Sequence, residues 1–161
     1  MNGKVATVDG TCNVWLMKKS ELYPYLAGII DGEGSIGIAH YKGKKYSYRM
    51  KRENFLPYMS CGMTYKGIPK MLHKEFGGAF YEQKYKEKES RKALYIWKLN
   101  NAKPILECLN KIEKFLIVKK RNARLVRTLA ERMNKQNGQN PLSVEELNIR
   151  SLLRERARVV A

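Results

Sequence analysis

The segment Leu26-Ala-Gly-Ile-Ile-Asp-Gly-Glu-Gly34 ends one predicted element and begins another. Apolar residues recur at helical spacing from Leu22 to Ile30, which predicts an amphipathic helix. Ser20 is the predicted N-cap of this helix, and Glu21 in the first turn favours the same start. The glycines at the end of the segment predict that the helix stops there.

A strand is predicted directly after this helix. Residues 35–41 alternate, which places Ile36 and Ile38 on one face of the strand. The opposite face carries Gly37, Ala39 and Tyr41. The segment therefore predicts a helix that passes into a half-buried strand without a loop.

The two glycines and two acids of the segment call for separate explanations. Gly28 and Gly32 are four residues apart, so they share a helix face and would let another backbone approach closely. Two explanations of this glycine pair remain open: the helix packs closely on a second copy of itself, or it packs closely on the chain's own sheet. Glu33 opposes the helix dipole, so stability alone does not explain it. Asp31 lies on a different side of the helix, and we expect it to cap or brace locally.

The rest of the chain predicts a repeating order of elements around this segment. The expected elements are a strand at 55–63, a helix at 68–76, strands at 79–86 and 92–99, and helices at 104–116, at 118–134 and from Ser143. Ser143 and Glu146 form a predicted capping box. The arginines of the last helix are expected to be exposed; they are Arg150, Arg154, Arg156 and Arg158.

This order indicates an α+β fold, αββαββα with further C-terminal helices. We expect a twisted antiparallel sheet with helices on one face and a basic, aromatic opposite face. Residues 1–19 form a predicted arm and residues 20–161 one domain, with a core at 20–134 and a helical tail at 135–161.

Composition limits the class of protein and of partner. The chain has 161 residues and a formal charge of +17, and no apolar run is long enough to cross a bilayer. Its hydrophobic content of 43 % is too high for a disordered basic tail.

Three scattered cysteines and two histidines fit neither a disulfide framework nor a zinc site. Basic residues interleaved with tyrosines in predicted strands favour nucleic acid over a membrane surface. No signal or transit peptide is recognisable, so we expect an intracellular protein that is not secreted.

The segment resembles the nine-residue signature of the LAGLIDADG homing endonucleases. Identical residues are Leu26, Ala27, Gly28, Ile30, Asp31 and Gly34, and the Ser35-Ile36 that follows is also usual in that family. The resemblance covers residues 20–134 and implies their αββαββα fold. The chain has one copy of the signature and no internal repeat, and single-signature members are homodimers. The expected dimer interface is Leu26, Ala27, Gly28, Ile29 and Gly32.

The resemblance also implies an activity and the residues that carry it. Members of this type make site-specific double-strand breaks in a long, partly palindromic DNA site, leave short 3′ overhangs and promote intron mobility. Glu33 corresponds to their metal-binding acid, with the carbonyl of Gly32 as a second ligand. The implied metal is Mg²⁺, with Mn²⁺ able to substitute and Ca²⁺ expected to support binding without cleavage. Lys119 corresponds to their active-site lysine, and Lys120 and Arg121 are the alternatives if the register differs. The family's Gln or Lys at the end of the second strand has no counterpart in residues 59–65. In a cell, such a protein works in a prokaryotic cytoplasm or in the organelle that contains the intron.

Side-chain parity and charge predict the DNA contacts. The expected residues are Gly37, Ala39, Tyr41, Lys42, Lys44, Arg49, Lys51, Glu82, Lys84, Lys86, Arg91 and Lys98. Two other functions remain open for the same fold, an RNA-splicing maturase and a catalytically inactive DNA-binding regulator. A different nuclease class, suggested by Glu82-Gln-Lys84, lacks a suitable acid upstream.

Overall fold

The computed structural model describes residues 17–42, 53–84, 92–136 and 142–158. Its elements follow the predicted order. They are α1 (Lys19–Glu33), β1 (Gly34–Tyr41), β2 (Asn54–Met63), α2 (Gly67–Phe76), β3 (Ala79–Gln83), β4 (Leu94–Leu99), α3 (Ala102–Ile112), a 3-10 turn (Glu113–Phe115), α4 (Lys120–Lys135) and α5 (Val144–Arg158). None of these helices has the length and apolar character needed to span a membrane.

The four described strands form one antiparallel sheet in the order β1-β2-β4-β3. Its inner face packs against the helices, and the fully buried side chains there include Met59, Trp97 and Leu99. Leu26 and Ile30 of α1 are also fully buried, which fits the predicted apolar face of that helix. The prediction of an α+β fold with an antiparallel sheet is therefore confirmed, with β1 paired to β2 and β3 paired to β4.

Two helix starts differ from the prediction, and the end of α2 agrees with it. α1 begins at Lys19, so Ser20 lies inside the helix and the predicted cap is wrong; Lys18 flanks the helix without a side-chain hydrogen bond. α2 ends where predicted, because Gly77 and Gly78 adopt positive φ values of 70° and 86° that other residues rarely adopt. α4 begins two residues later than predicted, at Lys120.

Half of the predicted capping box of α5 is present. The N–H of Glu146 donates to Ser143 Oγ at 3.1 Å, as expected of an N-cap. The reciprocal bond does not form, because the Glu146 carboxylate accepts hydrogen bonds from Arg132 and Arg150 instead. An interhelical ion pair has replaced the local cap.

The prediction that Arg150 is exposed is wrong. This side chain is 3 % exposed and donates to Glu146 Oε1 at 2.9 Å, to Gln136 Oε1 at 2.6 Å and to Asn54 Oδ1 at 3.3 Å. A buried arginine is tolerated when acceptors surround its guanidinium. Arg150 thus joins α5 to the end of α4 and to the first residue of β2. Arg156 and Arg158 are exposed as predicted, whereas Arg154 is half-buried.

Candidate active site

The last turn of α1 contains two acids with different surroundings. Both carboxylate oxygens of Asp31 are engaged: Oδ2 accepts the backbone N–H of Ile117 at 2.6 Å and of Val118 at 3.2 Å. Oδ1 accepts the N–H of Lys119 at 2.9 Å. Asp31 therefore does brace the structure, but its partners are about ninety residues away along the chain.

These contacts place Lys119 against the end of α1. Lys119 immediately precedes α4, so the Asp31 carboxylate supplies acceptors and a negative charge at the N-terminus of that helix. The ammonium group of Lys119 in turn donates to the backbone carbonyl of Asp31. The lysine predicted for the active site is thus anchored at both its backbone and its side chain to the motif helix.

Glu33 is the free acid of the pair. It is the last residue of α1, is exposed, and forms no hydrogen bond or salt bridge with any residue in the described part of the chain. The carbonyl of the adjacent Gly32 belongs to the last helical turn, where C=O groups lack partners within the helix. Glu33 and Gly32 therefore offer uncommitted oxygen atoms at one point of the surface.

Cys61 shows that Glu33 and Lys119 lie at the same corner. It is the register partner of Gly34, and its side chain is buried. Burial, and to a smaller extent the negative charge of Glu33, raise the pKa of its thiol to about 11 against the opposing positive charge of Lys119. Cys61 thus remains a neutral thiol at physiological pH. It occupies the end of β2, where the sequence offered neither Gln nor Lys.

The donor set fits a hard divalent cation better than a transition metal. A carboxylate and a backbone carbonyl are ligands that Mg²⁺ accepts, with water and phosphate oxygens completing its shell. Asp31 cannot contribute, since three N–H groups already use its carboxylate. Among the described residues, no group of three or more His, Cys, Asp or Glu side chains could enclose a metal by itself. The site is therefore open and needs oxygen atoms from outside this chain.

The outer face of the sheet begins beside Glu33. Register shows that it carries Ser35, Gly37, Ala39 and Tyr41 of β1; Asn54, Leu56, Tyr58, Ser60 and Gly62 of β2; Leu94, Ile96 and Lys98 of β4; and Ala79, Tyr81 and Gln83 of β3. This surface carries small, polar, aliphatic and aromatic side chains and almost no charge. Lys98 is the one basic residue on it within the described strands, and the basic face stays a prediction for the residues outside the described part of the chain.

Two predicted DNA-facing positions need correction on geometric grounds. Glu82 pairs with Tyr95, and Phe80 pairs with the buried Trp97, so Glu82 lies on the helix side of the sheet and not with Lys98. Gly37 lies on the outer face, but it is buried. Its register partner is Tyr58, whose ring covers it.

Most of the basic residues predicted to contact DNA lie outside the described strands. Lys42 and Lys84 are exposed at the ends of described segments. Lys44, Arg49, Lys51, Lys86 and Arg91 belong to residues 43–52 and 85–91, outside the described residues, and stay predictions. The described strands therefore present a mostly neutral outer surface, with Glu33 at one edge.

Comparison of this chain with solved structures identifies its fold. A structure of the homing endonuclease I-CvuI in complex with the I-CreI target matches with a TM-score of 0.68 and 16 % identity, over 89 % of this chain and 83 % of that one. An archaeal intron-encoded homing endonuclease complexed with DNA matches with a TM-score of 0.69 and 20 % identity, over 89 % and 86 % of the two chains. This chain has the LAGLIDADG homing endonuclease fold. No protein-family model and no curated protein sequence matches it.

A third LAGLIDADG structure differs in length. I-GzeII, a LAGLIDADG homing endonuclease in complex with a DNA target, matches with a TM-score of 0.61 and 18 % identity over 86 % of this chain, but over only 44 % of its own length. The present chain therefore corresponds to less than half of that protein. It corresponds to most of the first two structures.

The predicted dimer interface needs correction, because only part of the LAGLIDADG helix is exposed. Leu26 and Ala27 are fully buried in the chain's own core and cannot contact a partner. Gly28 and Gly32 are exposed, and a Cβ atom added at either would meet nothing within 4 Å. The explanation that these glycines allow close packing on the chain's own sheet is therefore wrong.

Large apolar side chains surround these open glycines. Tyr25 on α1 is 38 % exposed. Ile117 and Val118, which Asp31 holds against the end of α1, are 84 % and 67 % exposed. We call Tyr25, Gly28, Gly32, Ile117 and Val118 the glycine face. Sequence reasoning missed Ile117 and Val118, because only the Asp31 contacts bring them to this helix.

Proposed function

We propose that the chain is a site-specific DNA endonuclease that hydrolyses phosphodiester bonds. One observation carries this proposal. The carboxylate of Glu33, which has no partner among the described residues, and the anchored Lys119 lie close together at the edge of an open sheet face. A carboxylate kept free of partners at a helix C-terminus costs stability, which is expected where it serves a reaction. The solved structures of the same fold are homing endonucleases with DNA targets.

The chain's own groups have distinct roles in the proposed reaction. Glu33 and the Gly32 carbonyl would hold Mg²⁺, with Mn²⁺ as a substitute, next to the scissile phosphate. When bound, such a metal lowers the pKa of a water molecule and stabilises charge on the leaving oxygen. Lys119 places a positive charge near the phosphate oxygens, and Asp31 keeps that lysine in position. Structures of I-CvuI with DNA were determined in the presence of Mg, with the DNA not cleaved, and of Ca, so that protein was studied with divalent cations.

We further propose that the active form is a homodimer that meets across the glycine face. One chain supplies one Glu33, whereas a double-strand break requires a site on each strand. Two copies of α1 can approach closely because Gly28 and Gly32 carry no side chain and no described residue covers them. Ile117 and Val118 add apolar area to the contact. A symmetric dimer would read a long, partly palindromic DNA site.

The distribution of charge supports DNA as the partner. The chain carries a formal charge of +17, and many of its basic residues lie along the sequence between or beside the paired strands. Two-stranded ribbons fit the major groove, and cations at their ends would contact flanking phosphates. The short 3′ overhangs, intron mobility and intracellular location expected from the sequence belong to the same proposal.

Selection from a DNA library tests this function. Purified protein is incubated with randomised duplexes and Mg²⁺, and cleaved molecules are recovered by ligation to their ends and sequenced. The proposal predicts a single long consensus with approximate two-fold symmetry, cut on both strands with 3′ overhangs, and no products in EDTA. Enrichment of bound but intact duplexes would support an inactive DNA-binding regulator instead. Absence of any enriched DNA would refute a DNA-directed function.

A further inference from the structure

Tyr58 of β2 lies flat over the backbone of β1. Its register partner is Gly37, and a Cβ atom built on Gly37 would approach the Tyr58 hydroxyl to 2.9 Å and two ring carbons to 3.0 Å. Real Cβ atoms essentially never come that close to the atoms they face. The glycine therefore forms a notch in which the tyrosine ring sits, and the ring keeps Gly37 buried.

The hydroxyl of Tyr58 is held at the surface by a second hydroxyl. Ser35 Oγ and Tyr58 Oη are 3.3 Å apart, at an exposed position. Two hydroxyls hold two hydrogens, and the bond between them uses one. Whichever group donates, one O–H hydrogen is left to donate outward. The Ser35–Tyr58 pair is thus a preorganised donor on the outer face of the sheet.

The position of this pair connects it to the proposed reaction. Ser35 is two residues after Glu33, at the start of β1, and Ser35 and Tyr58 both belong to the outer face. The neighbouring outer-face positions Ala39 and Ser60 carry small side chains. Tyr58 therefore stands beside small side chains on the part of this surface next to the end of α1. A DNA backbone that reaches Glu33 must pass close to it.

We propose that Tyr58 is a DNA-positioning residue whose hydroxyl pair with Ser35 donates a hydrogen bond to a backbone phosphate next to the cleaved bond. This inference rests on the proposed endonuclease function. The contact is neutral and depends on orientation, so it differs from the cationic contacts expected of the hairpin ends. Gly37 takes part by leaving space for the ring, and not by touching DNA.

A methylphosphonate scan tests the contact at single-phosphate resolution. Each phosphate within about five nucleotides of the cut is replaced in turn by an uncharged methylphosphonate, and equilibrium binding is measured without Mg²⁺ for the wild type and for Tyr58→Phe. At the contacted phosphate, the wild type should lose about two- to tenfold more affinity than Tyr58→Phe, because the variant has no hydroxyl hydrogen bond to lose. At other phosphates, the two proteins should lose equal amounts.

Three further variants separate this role from a structural one. Gly37→Ala should displace the ring and show the same single-phosphate effect, as should Ser35→Ala, which removes the partner hydroxyl. Tyr95→Phe removes a hydroxyl from the opposite face of the same sheet and should behave as the wild type at every phosphate. Equal losses for Tyr58→Phe and the wild type at every position would overturn the inference while leaving the endonuclease proposal intact. Failure of the wild type to bind any DNA specifically would refute the endonuclease proposal and this inference with it.

Discussion

The carboxylate of Asp31 accepts the backbone N–H of Lys119 at 2.9 Å, and the carbonyl of Asp31 accepts the ammonium of the same lysine. This reciprocal contact joins the end of α1 to the start of α4. The two acids of the motif therefore have different roles. Asp31 stabilises the structure through its hydrogen bonds, whereas the carboxylate of Glu33, two residues later, has no partner among the described residues. The relative position of Glu33 and Lys119 therefore depends on Asp31.

Asp31→Asn should weaken both the fold and the reaction. The variant loses a negative charge at the N-terminus of α4 and turns an amide NH₂ towards backbone N–H groups. We expect the free energy of unfolding in urea to fall by about 1–2 kcal/mol. Single-turnover cleavage should slow by more than DNA affinity falls, because Lys119 is released. Glu107→Gln, at an exposed position of α3, is the matched control and should change neither quantity. A fully active, equally stable Asp31→Asn variant would contradict this role.

Gly28→Leu should block dimerisation without harming the protomer. No atom of the described residues lies within 4 Å of a Cβ at this position, and a leucine favours the helix over glycine by about 0.8 kcal/mol. Sedimentation should therefore show a dimer for the wild type and a monomer for Gly28→Leu, with no loss of thermal stability in the monomer. Lys70→Leu, on an exposed position of α2, should remain dimeric. A Gly28→Leu dimer would show that the glycine face is not the interface.

Loss of the Glu146 ion pairs should weaken the packing of α5 against α4. Hydrogen bonds from Arg132 lower the pKa of Glu146 below its usual value of 4.5, and bonds from Arg150 add to this effect. A lowered folded-state pKa contributes stability above about pH 4.5 that is lost as the pH falls through the folded value. The wild type should thus lose stability on acidification. Glu146→Gln should be less stable by about 3 kcal/mol at neutral pH and depend less on pH in the acid range.

The control for this prediction is the neighbouring exposed residue. Glu145→Gln, measured by urea denaturation at several pH values, should follow the wild-type curve. If Glu146→Gln followed that curve too, the buried pair with Arg150 would contribute nothing to stability.

The fold could be predicted because its local signals agree. The glycine-rich end of the motif, the alternation after Ser35 and the Gly77-Gly78 stop each indicate their element without tertiary information. Glu33 and Lys119 could also be named from the sequence, through a resemblance. Their proximity could not be derived, because it depends on the long-range bond from Asp31 to Lys119.

The wrong predictions for individual side chains have a common physical cause, which is packing between segments that are distant in the sequence. Arg150 was expected to be exposed as a charged residue, but acceptors from α4 and β2 surround it. Gly37 was expected to face DNA, but a ring from the partner strand covers it. Glu82 was assigned to the wrong face, although Phe80 two residues earlier is the apolar residue that sets the parity of β3.

Comparison of Glu33→Gln with the wild type on the selected DNA site tests the central claim most directly. The substitution keeps the size of the side chain and removes its charge, and Glu33 has no partner in the described part of the chain whose loss could disturb the fold. We predict that affinity for the site stays within about twofold while the cleavage rate with Mg²⁺ falls by at least about a hundredfold. Wild-type cleavage by Glu33→Gln, or an equal loss of binding and cleavage, would contradict the assignment of Glu33 as the catalytic acid of this fold.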